Sequence, residues 1–414
     1  MHTRQMFIIS KKTRKVPSTV LYPSSKKPYA AISLFSGALG LDLGIERAGF
    51  ETRVFVEHDK YCQQTIELNR KKLAYPTAKV FSDVRGVTGP ELLKASGLLP
   101  GEPTLVIGGP PCPSYSTAGR RGAIKDPRGE LILDFIRIVK EVRPRYFVLE
   151  NVRGILSAAL NHRPLNDRSD RALSPEEQLG SVMLYLKNEF DRLNYTVTAE
   201  LVNSANYGVP QLRERVIFIG SREGHEVFLP DGHFRQIPDP LVERPWTTLK
   251  DALKGLRDHQ PEFPRYSESR AKYFRLLGAG QCWRHLPKHM VADALGGAYQ
   301  SEGGKVGFYR RLSWDRPAPT LPTSPIQKST ALCHPNQVRP LTVKEYSRIQ
   351  QFPDDWQLAG PMMEMYRQIG NAVPVGLGVI IGKRLLRYIE DLRSLDHIRP
   401  KLGQLEYAPT PTIF

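Results

Sequence analysis

The sequence predicts an α/β protein: a doubly wound parallel sheet with a second, smaller irregular domain late in the chain. Three observations carry this. Short apolar segments of strand length alternate with segments of helical periodicity from residue 29 onward, and repeated βα units give a parallel sheet with its ligand at the strands' carboxyl ends. Acids stand where strands should end, at Glu57, Asp83 and Glu150. The periodicity then fades, and residues 222–309 become rich in Pro, Gly, Arg, His and aromatic residues.

The elements follow in order. Ala30 to Phe35 is a short apolar strand running into Ser36-Gly37, and Leu41 to Ala48 is a helix closed by Gly49. A second strand, Arg53 to Val56, ends at Glu57. The pattern continues with a helix over Tyr61 to Leu73 and strands at Lys79 to Phe81 and Thr104 to Gly108. After a helix from Glu130 to Val142, the strand Tyr146 to Leu149 ends at Glu150. Val216 to Gly220 is the last strand of this half. Helical signals return at Thr342 to Gln350 and at Gly376 to Leu392, the latter long enough to pack back on the sheet. The expected divisions are a solvated basic arm (1–28), the first part of a catalytic domain (29–221), a recognition domain with its hinge (222–355), a returning catalytic segment (356–395) and a tail (396–414).

With 59 Lys and Arg against 42 Asp and Glu, the chain carries +17, which favours a polyanionic partner. The four cysteines, Cys62, Cys112, Cys282 and Cys333, form no CxxC pair, so neither a zinc site nor a disulfide framework is expected. No apolar run of membrane-spanning length and no signal peptide is read, so a cytoplasmic protein without membrane contact is expected.

Phe35-Ser36-Gly37-Ala38-Leu39-Gly40 links a strand to a helix, and Glu57 follows at the end of the next strand. Such a turn and acid suit a nucleotide-like cofactor and its ribose, whether NAD, FAD or S-adenosylmethionine; the nicotinamide pattern GxGxxG is absent. Gly108-Gly109-Pro110-Pro111-Cys112-Pro113-Ser114-Tyr115-Ser116 follows a strand. Its single cysteine sits on a proline-stiffened polar loop, which suits a nucleophile better than a buried small hydrophobe. Glu150-Asn151-Val152 offers a carboxyl able to move a proton or to act as a structural acid. In Gln211-Leu212-Arg213-Glu214-Arg215, alternation places Gln211, Arg213 and Arg215 on one face, as a binding face or a solvated strand edge.

Taken in order with the closing Gln368-Ile369-Gly370-Asn371-Ala372-Val373-Pro374, these motifs resemble the DNA cytosine-5 methyltransferase family from about residue 29 to 385. Arg310-Arg311-Leu312 through Pro319-Thr320, and Arg339-Pro340-Leu341-Thr342 to Gln351-Phe352-Pro353, also look like the family. The resemblance implies a Rossmann-like, S-adenosylmethionine-dependent sheet and no metal. Phe35, Gly37, Gly40, Glu57, Asp83, Val84, Pro110, Leu131, Asn371 and Val373 would form the cofactor pocket. Phe35 would lie near the sulfonium, Glu57 would hold the ribose, and Asp83 with Val84 would meet the adenine. Cys112 would attack carbon 6 of a flipped cytosine, Glu150 would protonate nitrogen 3, and Arg213 and Arg215 would hold the base. Two positions depart from the family pattern: Pro113 follows the cysteine where Gln is usual, and Leu39 stands where Gly is common.

The implied substrate is double-stranded DNA, read by residues 222–309 with basic side chains such as Arg265, Arg270, Lys272, Arg275, Arg284 and Lys288. A bacterial monomer, sharing its DNA site with a restriction endonuclease without stable binding to it, is the expected setting. A transfer-RNA cytosine methyltransferase, a non-catalytic DNA-binding relative and a nicotinamide enzyme stand as alternatives.

Overall fold

The structure is a computed structural model that describes residues 5–11, 29–111, 130–161, 163, 172–237, 243–300 and 307–402. Strand β1 (Gln5–Ser10) precedes β2 (Tyr29–Leu34), α1 (Gly40–Ala48), β3 (Phe50–Val56), α2 (Lys60–Asn69), β4 (Lys79–Phe81), α3 (Gly89–Ser96) and β5 (Leu105–Gly108). There follow α4 (Leu131–Val142), β6 (Tyr146–Val152), α5 (Ser181–Leu193), β7 (Thr196–Asn203), β8 (Gln211–Leu212) and β9 (Glu214–Ser221).

Among the described residues these strands, β8 apart, form one sheet in the order β1-β7-β9-β6-β5-β2-β3-β4. The five strands from β6 to β4 are parallel, as predicted. The other half corrects the expectation of a purely parallel sheet: β9 is antiparallel to both β6 and β7, and β1 is antiparallel to β7. The link from β7 to β9 is too short for a parallel crossover, so the chain must return antiparallel. Residues 5–10 also depart from the solvated arm expected of the N-terminus. Met6 to Ile9 is an apolar run that pairs with β7, and Lys11 continues it with an ion pair to Glu226 at 2.9 Å. Residues 12–28 lie outside the described chain.

The sheet is covered on both faces because its strands alternate. Ile32, Leu34, Val106, Phe147, Leu149 and Phe218 face one side, where α3, α4 and α5 bring Leu92, Phe135 and Phe190. Ala31, Ile107, Tyr146, Val148, Ile217 and Ile219 face the other.

Beyond β9 come β10 (Phe234–Arg235), β11 (Arg244–Pro245), α6 (Leu249–Leu253), α7 (Glu268–Arg275) and α8 (Lys288–Leu295), with the short strands β12 (Arg310–Arg311), β13 (Ala318–Pro319) and β14 (Leu332–Cys333). This irregular lobe has its own core of Tyr273, Phe274, Leu286, Leu295, Phe308 and Tyr309. The chain then returns through α9 (Val343–Ile349), capped by Thr342, and α10 (Met362–Asn371) to α11 (Val375–Leu402).

Helix α11 packs on α1, and glycines set the spacing. A Cβ on Gly44 would overlap the Val375 carbonyl oxygen and lie 2.6 Å from Gly378 Cα. A Cβ on Gly378 would lie 2.7 Å from the Leu41 carbonyl oxygen. Leu377, Ile381, Leu385 and Ile389 fill the rest of the contact with the sheet. The stretch Met362–Asp391 is long and apolar enough to cross a membrane by composition, contrary to the reading that no run reaches that length. Its most apolar window is 61% buried inside the protein, and Pro374 separates α10 from α11 within it.

Gly44→Ala should therefore force the two helices apart. Urea unfolding is expected to show a loss of about 1–3 kcal/mol with an unchanged m value; an unshifted midpoint would show that the contact tolerates a methyl group.

Candidate active site

The turn after β2 is strained in favour of the cavity beside it. Phe35, Gly37 and Leu39 have φ of 56°, 54° and 68°, in the left-handed region. Two of the three are not glycine, a conformation that persists only where surrounding contacts hold it. Leu39 occupies the N-cap of α1 without a side-chain cap bond, and its side chain is fully buried. This is where the family pattern favours Gly, and apolar packing offsets the backbone strain here. Gly40 follows for a different reason: a Cβ there would overlap the Val373 carbonyl oxygen.

Glu57 closes the turn from the next strand. Its Oε2 accepts from Gly37 N at 2.7 Å and its Oε1 from Asp59 N at 2.7 Å. Burial raises its pKa despite these bonds. Asp83, after β4, caps a short turn by accepting from Arg85 N at 3.0 Å, and the Arg85 guanidinium holds its carboxyl below the usual range. Val84 beside it is buried in the core.

At the other end of the cavity, Glu150 lies within β6, which runs two residues past the predicted end. In the β6–β9 register Val152 faces Arg215 and Glu150 faces Ile217, so Glu150 and Arg215 are diagonal neighbours. Arg215 Nε lies 2.7 Å from Glu150 Oε1, both side chains nearly buried. Oε1 has no partner of good hydrogen-bond geometry, so the contact is an ion pair without a directed bond. The loop after β5 passes over this carboxylate: a Cβ on Gly109 would sit 3.1 Å from Glu150 Oε2.

Gln211 and Arg213 are not a solvated edge. Both are buried, Arg213 bonded to the end of α10 and Gln211 to Gln350 and Leu321. Arg213 Nη1 donates to the Gly370 carbonyl at 3.0 Å and Nη2 to that of Asn371 at 3.4 Å. Burial, with Arg215 nearby, pushes its pKa well below the usual guanidinium range. Gln211 Nε2 donates to Gln350 Oε1 at 3.1 Å, and Gln350 Nε2 donates in turn to Ile369 O at 2.7 Å and Ala372 O at 3.0 Å. The segment 369–373 is thus held from below by side chains.

These parts enclose a cavity of about 790 Å³. Phe35, Gly37, Gly40, Glu57, Asp83, Val84, Pro110, Leu131, Asn371 and Val373 all line it, and so do Glu150, Arg213 and Arg215. Cys112 lies outside the described residues; Pro111, directly before it, lines the cavity. Sequence reading missed Asp42 and Arg367 on the same wall, and Gln350 behind it. An acid in the otherwise apolar Leu41-Asp42-Leu43 was the available signal for the first.

In the irregular lobe, several basic side chains are engaged locally. Lys272 pairs with Asp293 at 3.1 Å and Arg275 pairs with Glu268. Arg270 donates to the Ile326 carbonyl, and Arg284 lies over the Trp283 ring.

Gln350→Leu would leave Gln211 Nε2 and the Ala372 carbonyl without partners inside the protein and remove one of the two donors to the Ile369 carbonyl. Denaturant unfolding is expected to show a loss of about 2–4 kcal/mol, since each buried unpaired group costs about 1–3 kcal/mol. Wild-type stability would mean that water replaces the amide.

The family model for C-5 cytosine-specific DNA methylases matches residues 29–387. The chain is 36% identical over 365 residues to the Type II methyltransferase M.Sau96I of Staphylococcus aureus, covering 88% of this chain and 77% of that protein. It is 34% identical over 376 residues to the Type II methyltransferase M.Eco47II of Escherichia coli, covering 89% and 82%. A DNA modification methyltransferase encoded within an E. coli prophage superposes with a TM-score of 0.56 at 25% identity, covering 87% of this chain and 99% of that one. The Entamoeba histolytica methyltransferase EhMeth shares the fold, with a TM-score of 0.57 at 14% identity. With the pocket of this sheet and a family match across nearly the whole chain, the protein belongs to the C-5 cytosine-specific DNA methylases.

Proposed function

We propose that the cavity joins two sites, one for S-adenosylmethionine at the β2 and β3 ends and one for a flipped cytosine at the Glu150 end. The observation that carries this is the convergence, on one cavity, of every described residue assigned to either role from the sequence. The volume suits a cofactor with a base beside it. Glu57, fixed by two backbone N–H groups, has lone pairs left to accept from ribose hydroxyls. Phe35 offers an aromatic face to a cation. Gly37 and Gly40 bring backbone close, Asp83 and Val84 bound the adenine, and Pro110, Leu131, Asn371 and Val373 close the pocket. The bound donor supplies an electrophilic methyl group.

Cytosine carbon 5 is a poor nucleophile. The Cys112 thiolate adds to carbon 6, pushing electron density toward carbon 5, while the Glu150 carboxyl gives a proton to nitrogen 3. Arg215, paired with Glu150, fixes that carboxyl and meets the base carbonyl; Arg213 works from behind, holding the 370–371 turn and steadying the same face. After methyl transfer the carbon 5 proton leaves and the thiolate is eliminated. A base inside a duplex is out of reach, so it must rotate out of the stack. The charge of +17 suits the phosphate backbone, and the lobe within 222–355 reads the sequence.

The enzyme works as a monomer inside a bacterial cell and shares a DNA sequence with a restriction endonuclease rather than a binding surface. The relatives' designation as Type II methyltransferases supports that pairing. Neither a transfer-RNA methyltransferase nor a non-catalytic relative is favoured.

Glu57→Ala should weaken S-adenosylmethionine binding at least tenfold by calorimetry, a loss of about 1.4 kcal/mol; unchanged affinity would remove Glu57 from the ribose site. For the nucleophile, a duplex carrying 5-fluorocytosine at the target, with S-adenosylmethionine, should give a denaturation-resistant complex, because fluorine cannot leave as the proton does. Peptide mapping should place the link at Cys112, and Cys112→Ser should form none. An adduct at Cys62, Cys282 or Cys333 would overturn the mechanism.

A further inference from the structure

Asp42 is a charge the proposed chemistry does not use. It occupies the first turn of α1, is 2% exposed, and lines the cavity between Leu41 and the strained turn. Its Oδ1 has no hydrogen-bond partner among the described residues. The Ser33 hydroxyl bonds its side chain, but the charges acting on it, Glu46 on its own helix and Glu57 at the end of β3, are both acidic. Helix α11, packed against α1, brings apolar residues and glycine to this contact, Leu377, Gly378 and Ile381 among them. The arginines on the cavity wall are engaged elsewhere: Arg213 with α10 carbonyls, Arg215 with Glu150, Arg367 with Asp59 and Arg85 with Asp83.

Burial pushes the Asp42 carboxyl up to about 7. An acid placed only to favour the start of a helix would be exposed and ionised. This one is buried, lacks a cation and faces a pocket.

We propose that Asp42 is the counter-charge for the methyl donor, giving up its proton to solvent when the cationic sulfonium enters and keeping it when the product occupies the pocket. This rests on the reading of the cavity as an S-adenosylmethionine site. Donor and product, S-adenosylhomocysteine, share adenine, ribose and amino-acid ends, and differ by one methyl group and one positive charge. A carboxyl poised between its two states responds to that difference. Its ionised form favours donor over product and so speeds exchange after turnover. Glu57 is also raised, but it faces a ribose common to both ligands, and Glu46 does not line the cavity, so neither separates the two.

The sign follows from the raised carboxyl. Below its pKa Asp42 is protonated with either ligand; above it, ionised Asp42 strengthens donor binding. Calorimetry near pH 7, in two buffers of different ionisation enthalpy, should show more proton release for S-adenosylmethionine than for S-adenosylhomocysteine. The wild-type affinity ratio of donor to product should rise about fivefold between pH 6 and pH 8, toward the roughly tenfold limit that an about tenfold difference in Asp42 acidity between the two complexes sets. Asp42→Asn should flatten that rise and equalise the proton counts. Equal release in the wild type, or a variant that keeps the wild-type pH dependence, would overturn the proposal while leaving the cofactor site standing. Failure of both compounds to bind the wild type would overturn the site and the proposal together. If the variant does not fold, the wild-type proton counts and pH profile still decide.

Discussion

The site depends on how closely α1 and α11 approach. Gly40 lies so near the Val373 carbonyl oxygen that no side chain fits, and Gly44 stands against Val375 and Gly378 in the same way. This contact brings a turn from near the chain's start beside a segment more than three hundred residues later. Asn371 and Val373 become pocket residues only because that distance is short. Larger residues would still permit a helix pair, but a wider one, and the cavity wall formed by Asn371 and Val373 would open.

A second constraint fixes the same segment from the other side. Carbonyls at a helix end need donors, and near a cavity water is not a reliable one. Here Arg213 serves Gly370 and Asn371, and Gln350 serves Ile369 and Ala372. Gln350 belongs to the segment leaving the irregular lobe, and Gln211 to β8, which pairs with β13. One buried polar network therefore joins three parts of the chain. Partly broken, it would leave several unsatisfied groups at once, which is why it acts as one unit.

The parallel half of the sheet was legible because each βα unit carries its own period and ends on a marked residue: Gly49 closes α1, and Glu57 follows β3. Of the antiparallel half only β9 was, and not its direction. β7 is a strand only because β9 returns beside it, and β1 only because β7 offers an edge, so neither has a local signal stronger than a short apolar run. The site residues were found through motif order. Asp42 was not, because an acid in an amphipathic helix reads as a solvated position until the packing of α11 shows the face to be buried. Gln350 escaped for a similar reason: its function lies in three long-range hydrogen bonds that no local pattern encodes.

The two ends of the cavity carry different sets of charged groups. Asp42 and Glu57 lie by the glycine turn; Arg213 and Arg215 lie by Glu150. On the proposed function, a cationic donor would lie by the two acids and the flipped base by the two arginines. Each end also keeps its own ion pairs, Asp59 with Arg367 and Asp83 with Arg85 at one and Glu150 with Arg215 at the other. Their separation follows from topology. The acids come from the parallel strands and helix on one side of β5, and the arginines from the antiparallel return on the other. The departure from a purely parallel sheet thus sets Arg213 and Arg215 apart from Asp42 and Glu57, as the proposed function requires.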